Sequence, residues 1–312
     1  MHKNVIIAAF TIVIMTTIFL SCKKNIIEDT VTDNIKIAVE ADQQSRFSKE
    51  LNTFENDINL LLQSKTALHG KFETEMGALC NVIAIVDSTG ANYVLTLTYN
   101  GLNCAGTNNF NGSVVVSMLK TTNWKDPGAK ISSNFQKLKI TRISDNKSIT
   151  INGTVDITNV SGGKLADLPT RGSITNTITG SDIQISFNDN TSVTLQEATQ
   201  RLFTLNNNSV VITTTGTHTE GTVNGIAEWG VDNTGINFKT VYTKPLVMKQ
   251  DCDYRIGNGE ATTTKPDTKF VLTFGLDASG MPTACPGTSG VYYYKTDWQS
   301  KNGNVYTALA PY

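Results

Sequence analysis

Cys80–Cys104 reads CNVIAIVDSTGANYVLTLTYNGLNC. After the turn STGA, Tyr93, Leu95, Leu97 and Tyr99 recur at every second position, and before it Val82–Val86 is a short apolar run. That recurrence is the period of a strand, whose successive side chains leave by opposite faces. Two strands joined by a tight turn fold back antiparallel. The fold-back brings Cys104 toward Cys80. A disulfide needs Cα atoms within about 7 Å, which hairpin partners reach.

The same period runs to the carboxyl end. GSVVVSML, FQKLKIT, SITINGTVDITNV, DIQISFND, SVVITTTGT, GINFKTVYT, KFVLTFGLD and GVYYYKTD read as further strands. Clusters such as GTNNFNG, SDNKS, SGGK, TGSD, NDNT, LNNNS, VDNTG and DASG read as the turns between them. No helical pattern recurs between strands, which excludes parallel βαβ units. Residues 70–312 are therefore expected to be one antiparallel all-β domain. Thr or Ser alternating with Val or Ile predicts one wet and one dry sheet face. The dry faces close either as an antiparallel sandwich or as one strongly curled meander sheet. NGSVVVSML and NGTVDITNV share an Asn-Gly opening, read as shared turn chemistry.

The amino-terminal segment sets the compartment. His2 and Lys3 precede an uncharged run, Val5–Leu20, that ends in Ser21-Cys22. A spanning helix needs roughly 20 apolar residues, so this run suits a signal-peptide core better. FLSC resembles the lipobox of bacterial lipoproteins, with Phe19 where an aliphatic residue is usual. That resemblance implies cleavage after residue 21 and lipid on Cys22, so the membrane is the expected partner. Residues 22–42 read as a tether. Asp29-Thr30-Val31 resembles the O-glycosylation motif of Bacteroidota, which marks Thr30.

Phe47, Leu51, Phe54, Ile58 and Leu61 are spaced four, three, four and three apart, one face of a helix expected over residues 43–69. Ser45 or Ser48 is the expected cap and His69-Gly70 the stop. The stripe is expected to pack against the β domain.

With Cys22 taken by lipid, four of the five cysteines remain, and in an oxidising compartment an even remainder forms disulfides. Four cysteines allow three pairings. The hairpin argument favours Cys80–Cys104, and also Cys252–Cys285, where CDYRIGNG and KFVLTFGLD bracket a turn. No C-x-x-C spacing occurs and only His69 and His218 remain downstream, so no metal is expected.

Chemistry is sparse. The net charge of −1 gives nucleic-acid binding no support. There is no G-x-S-x-G elbow, no H-E-x-x-H and no P-loop, so no catalytic residue and no cofactor is expected. His218 and Glu220 fall on one strand face, as an acid–base pair or as an exposed polar face. Asp251, Asp253 and Glu260 flank Cys252. Trp124, Trp229 and Trp298 are the candidate ligand-binding residues, a sugar-stacking platform if clustered and exposed, and core if buried.

From Cys80 onward the chain resembles a group of uncharacterised Bacteroidota lipoproteins. The resemblance rests on GLNCAGTNNFNGSVVV, NGTVDITNVSGG, KPLVMKQDCDYRIGNGEA and FGLDASGMPTACP. It implies an all-β fold after a lipidated cysteine and a helix, and both cysteine pairings, but no activity. Such lipoproteins at the cell surface often carry an acidic run after the cysteine. Lys23 and Lys24 stand there instead, which favours the periplasmic face of the outer membrane. The expected function is a lipid-anchored, non-enzymatic binding or structural module with a glycan or protein partner. The alternatives are a surface glycan-binding lipoprotein of a polysaccharide-uptake system and a glycan-active hydrolase. The hydrolase requires two carboxylates in a cleft.

Overall fold

The computed structural model describes residues 36–51, Phe54, Ile58, 80–104, 106–285, 290–299 and 303–312. Cys22, Thr30 and the expected helix stop at His69-Gly70 lie outside them.

Fifteen strands form one sheet. Strands β1 (Val82–Asp87), β2 (Asn92–Leu102), β3 (Asn108–Leu119), β4 (Ala129–Arg142), β5 (Ser148–Asn159), β6 (Ser173–Phe187) and β7 (Ser192–Asn206) follow one another as an antiparallel meander. Next come β8 (Ser209–Gly216), β9 (His218–Glu220) and β10 (Val223–Val231). A second meander closes the chain: β11 (Asn237–Lys249), β12 (Ile256–Lys265), β13 (Thr268–Leu276), β14 (Tyr293–Gln299) and β15 (Val305–Pro311). One turn of helix, α2 (Leu168–Arg171), precedes β6.

Strands β8 and β10 lie end to end in a single row. One half of β7 pairs with β10 and the other with β8, and β11 divides in the same way. The short β9 pairs with the first residues of β10 as a hairpin beside that row. At the join a Cβ on Gly216 would collide with the Gly225 carbonyl oxygen, so glycine is what permits the close approach.

The sheet is bent along a line of bulges. Register shifts fall between Asn111 and Ser113, Phe135 and Leu138, Asn152 and Thr154, and Gly180 and Ile183, in line across β3–β7. Lys137 and Asp182 sit there in the left-handed region at φ 53° and 50°. A bulge bends its strand and strengthens its twist. Bulges in register across neighbouring strands therefore curl the whole sheet. This corrects two expectations. Asn111-Gly112 and Asn152-Gly153 share bulge chemistry, with no turn at either place. TGSD, read as a turn, is the bulge inside β6, because β6 continues on both sides of it.

What the sheet curls around is helix α1, residues 36–51, with Phe54 and Ile58 also helical. Partners of α1 come from β3, β4, β10, β12 and β14, which are far apart in the strand order. A flat sheet does not bring those strands to one helix. The curled meander is thus the architecture. Phe47, Leu51, Phe54 and Ile58 join a core built on β1–β7, and Phe54 meets the Phe135 ring at 4.6 Å between centroids. Ile37 and Ala41 join a second core under β8 and β11–β15. The four described members of the stripe pack as expected, Leu61 lying outside the described residues, and the chain is already helical at Lys36, earlier than residue 43. Ser45 and Ser48 lie inside the helix, 1% and 5% exposed, and cap nothing.

Both cysteine pairs are at disulfide distance, Cys80–Cys104 and Cys252–Cys285, each with Cα atoms 5.1 Å apart. The first closes the β1–β2 hairpin. The second ties the turn after β11 to the segment after β13. Closing loops of this length restricts the unfolded chain by about 3–4 kcal/mol each. Four hairpin turns use one device. Asp87, Asp189, Asp232 and Asp277 each accept the backbone N–H and the hydroxyl of the Thr or Ser two residues on. Asp and Thr in these turns are thus structural. Among the described residues no helix is long and apolar enough to cross a membrane.

Candidate functional site

Where α1 leaves the sheet wall, a small open cleft of about 40 Å³ remains. Its floor is Phe47 of α1 with Ile185, Phe187, Leu195, Phe238 and Phe270 from the ends of β6, β7, β11 and β13. Period-two alternation brings these side chains inward, and the curl of the sheet sets them opposite the helix. Its rim is polar: Glu40, Gln43 and Gln44 on α1, Asp232 from the β10–β11 turn, and Thr263 and Lys265 from β12.

Lys265 fastens the helix to the sheet at this rim. Its Nζ lies 2.6 Å from Glu40 Oε2 and 2.6 Å from Asp232 Oδ2. The Lys265 side chain is 9% exposed and that of Asp232 7%. Burial pushes the Asp232 carboxyl upward. Donation from Lys265, Thr234 and the backbone of Ile236 and Thr234 outweighs that and holds it at about 2. A second clamp joins Asp42 of α1 to the β4–β5 turn. Asp42 lies 3.5 Å from Arg142 and 2.9 Å from Lys147. Asp145 beside them is held at about 2, chiefly by the Arg142 hydrogen bond.

These depressed carboxylates make the helix acid-sensitive. A group with a lowered folded pKa contributes stability that is full above its unfolded value and disappears as pH falls through the folded value. For Asp232 that window runs from 3.8 down to about 2. Unfolding free energies from urea titration are expected to fall steeply between pH 4 and pH 2, by on the order of 2 kcal/mol for Asp232 alone. An Asp232→Asn variant with the same steep fall would show that the clamp is not the cause.

Deeper than the cleft lies a buried polar seam. Glu228 of β10, 2% exposed, accepts from Ser48 at 3.1 Å, from Tyr242 at 3.2 Å and from Gln44. Glu197 of β7, 5% exposed, stands opposite Glu228 in the register and accepts from Thr199 at 3.1 Å. Arg201, two places beyond Thr199 on the same strand face, is fully buried. The period-two reading passed over these residues because it looks for apolar side chains on the inward face, and β7 turns Glu197, Thr199 and Arg201 inward. In the sequence Asp232 reads only as part of the turn VDNTG.

Neither carboxylate pair offers a site for glycoside cleavage. Glu228 is covered by α1, Glu197 is buried opposite it, and neither lines the cleft. Glu40 and Asp232 do line it, but the Lys265 ammonium stands between them and fills the gap a glycosidic oxygen would enter. His218 and Glu220 have separate partners. His218 stacks on Trp229 at 3.9 Å, and Glu220 pairs with Lys239 at 2.7 Å. Asp251 accepts from Ser209, and Glu260 from Thr243. Among the described residues no group of three or more His, Cys, Asp or Glu side chains is placed to hold a metal ion.

The three tryptophans are not brought together as a platform. Trp124 is 5% exposed in the first core and Trp298 6% exposed in the second, stacked on Tyr306. Large rings on inward positions of a curled sheet fill its interior. Only Trp229 is half-buried and reaches the surface. Compared with family models, with curated proteins and with solved structures, the chain has no match.

Proposed function

We propose that this protein is a lipid-anchored component of the bacterial cell envelope that acts as a non-enzymatic binding module. The cleft between α1 and the sheet is the seat for a small apolar or aromatic group. The observation that carries the reading is the cleft itself. An apolar floor with a few convergent polar groups is the usual composition of a small-molecule site. The polar rim would orient a hydrogen-bonding end of the ligand beside Gln43, Gln44 and Lys265.

Benzyl alcohol is a suitable probe. Titrated into the protein, it is expected to shift the NMR signals of Phe47, Phe187 and Phe238. Val193→Trp, which fills the cleft from β7, abolishes those shifts while the remaining spectrum persists. Equal shifts in both proteins would remove the cleft from the reading.

Support for the anchor is the FLSC segment ending at Cys22 and the two disulfide-distance cysteine pairs, which suit an oxidising compartment. Each buried lipid methylene contributes about 0.8 kcal/mol, so two or three acyl chains make release negligible. The expected result is complete transfer of a Cys22→Ala variant from the membrane pellet to the soluble fraction, with loss of metabolic palmitate label. A variant still in the pellet, with a native protein that takes up no label, would sink the anchor. Lys23 and Lys24, where an acidic run is usual in surface lipoproteins, favour the periplasmic face of the outer membrane in this reading. The glycan-binding alternative rests on Trp229 alone, half-buried and stacked on His218.

A further inference from the structure

Among the described residues β1 pairs only with β2 and ends the sheet. Its sequence, VIAIVD, has no charge before Asp87 and no proline, and its register with β2 is unbroken. Sheet edges are normally blunted by charge, proline, a bulge or a covering element, because an open ladder templates another strand. Here Ile83 and Ile85 are 64% and 62% exposed. The opposite edge, β15, is blunted. It ends in Pro311, which has no N–H to offer a further strand.

The backbone directions on β1 can be assigned. The Asn100 N–H donates to the Asn81 carbonyl at 3.1 Å, so Asn81 and the odd-numbered residues after it direct their ladder groups toward β2. Val82, Ala84 and Val86 therefore present theirs to the open side. A two-fold axis through Ala84 sets Val82 against Val86 of a second copy, Ala84 against Ala84, and Val86 against Val82. Every pair is then one whose groups face outward. The same register sets Ile83 against Ile85 in the closer, non-bonded positions, where side-chain contact is tightest. Asp87 falls opposite Asn81, so no like charges meet. A slip by one residue would turn the isoleucines to the wrong face.

We propose that β1 is a homodimerisation edge and that two copies of this chain join through antiparallel β1–β1 pairing into one continuous sheet. The interface is isologous, since the same patch serves on both subunits. The Cys80–Cys104 pair sits at the base of the hairpin and holds the edge in place before the partner arrives. The inference does not depend on the cleft or on the lipid anchor.

Sedimentation of the full chain in detergent tests it. The wild type is expected to run as a dimer. Ile83→Lys/Ile85→Lys sets lysine against lysine and is expected to weaken association at least about a hundredfold. Both side chains are exposed, so the variant should keep the wild-type far-UV and near-UV circular dichroism, and that measurement separates lost pairing from lost folding. Register is tested by cysteine. Ile83→Cys/Ile85→Cys forms intersubunit disulfides, and neither single variant does. A monomeric wild type, a dimer indifferent to the lysines, or cross-linking by the single variants would each overturn the proposal. Open polymers that persist in the lysine variant would do so as well, by pointing to the β15 edge.

Discussion

Phe47→Ala is expected to destabilise the fold by about 3–4 kcal/mol, within the range for truncating a buried phenylalanine. Phe47 is 2% exposed and belongs to the first core while also flooring the cleft. Its removal takes apolar area out of the core. It also leaves a void that the curled sheet cannot close, because the wall strands are tied to one another by continuous ladders. The void opens on the cleft, so water enters part of it and keeps the loss from reaching the top of the range. Urea unfolding at neutral pH measures the change. A loss under about 1 kcal/mol would mean that the helix is not an integral part of the core. The same variant is expected to enlarge the cleft and weaken benzyl alcohol binding.

Lys265→Met should cost about 3 kcal/mol, since removing one partner of a buried ion pair strands the charge that remains. Here the stranded charges are two, Glu40 on the helix and Asp232 on the turn, with their oxygens around a site where methionine offers no donor. Pairing Lys265→Met with Asp232→Asn is expected to recover part of the loss, because less uncompensated charge then remains buried. The loss also has a pH signature. Below pH 2 the wild type also gives up its Asp232 carboxylate, so the gap between the two proteins narrows as pH falls through that value. A deficit that stays constant from pH 7 to below pH 2 would show that packing of the lysine stem, and not its charge, holds the helix.

Much of the fold was legible in the sequence. Ten strands were readable because β-branched and aromatic residues alternate with Thr and Ser there, which is what a half-wetted pleated surface requires. The two cysteine pairs were readable because a hairpin closes over a short distance. Strands β7, β10, β12 and β15 and the short β9 were not picked out. In β7 the inward face carries Glu197, Thr199 and Arg201, in β10 Glu228, and in β12 Thr263, so the dry side of these strands does not look dry. Some of these groups find partners on other elements, as Glu228 does in Ser48 and Tyr242. The candidate cleft was invisible for the same reason. Phe47, Phe187, Phe238 and Phe270 come from four distant segments, and nothing local marks them as neighbours.

By itself, the sequence determined the antiparallel β class, the places of most turns, the amphipathic stripe and the cysteine partners. All of these depend on chemistry that acts over a few residues or across one hairpin. Only the tertiary structure decided that the dry faces close as one curled sheet, that a helix fills its interior, and that Lys265 locks that helix in place. Those outcomes depend on bulges falling in line across neighbouring strands and on buried charges finding partners far along the chain. Both are properties of assembled strands, and no single stretch of residues contains them.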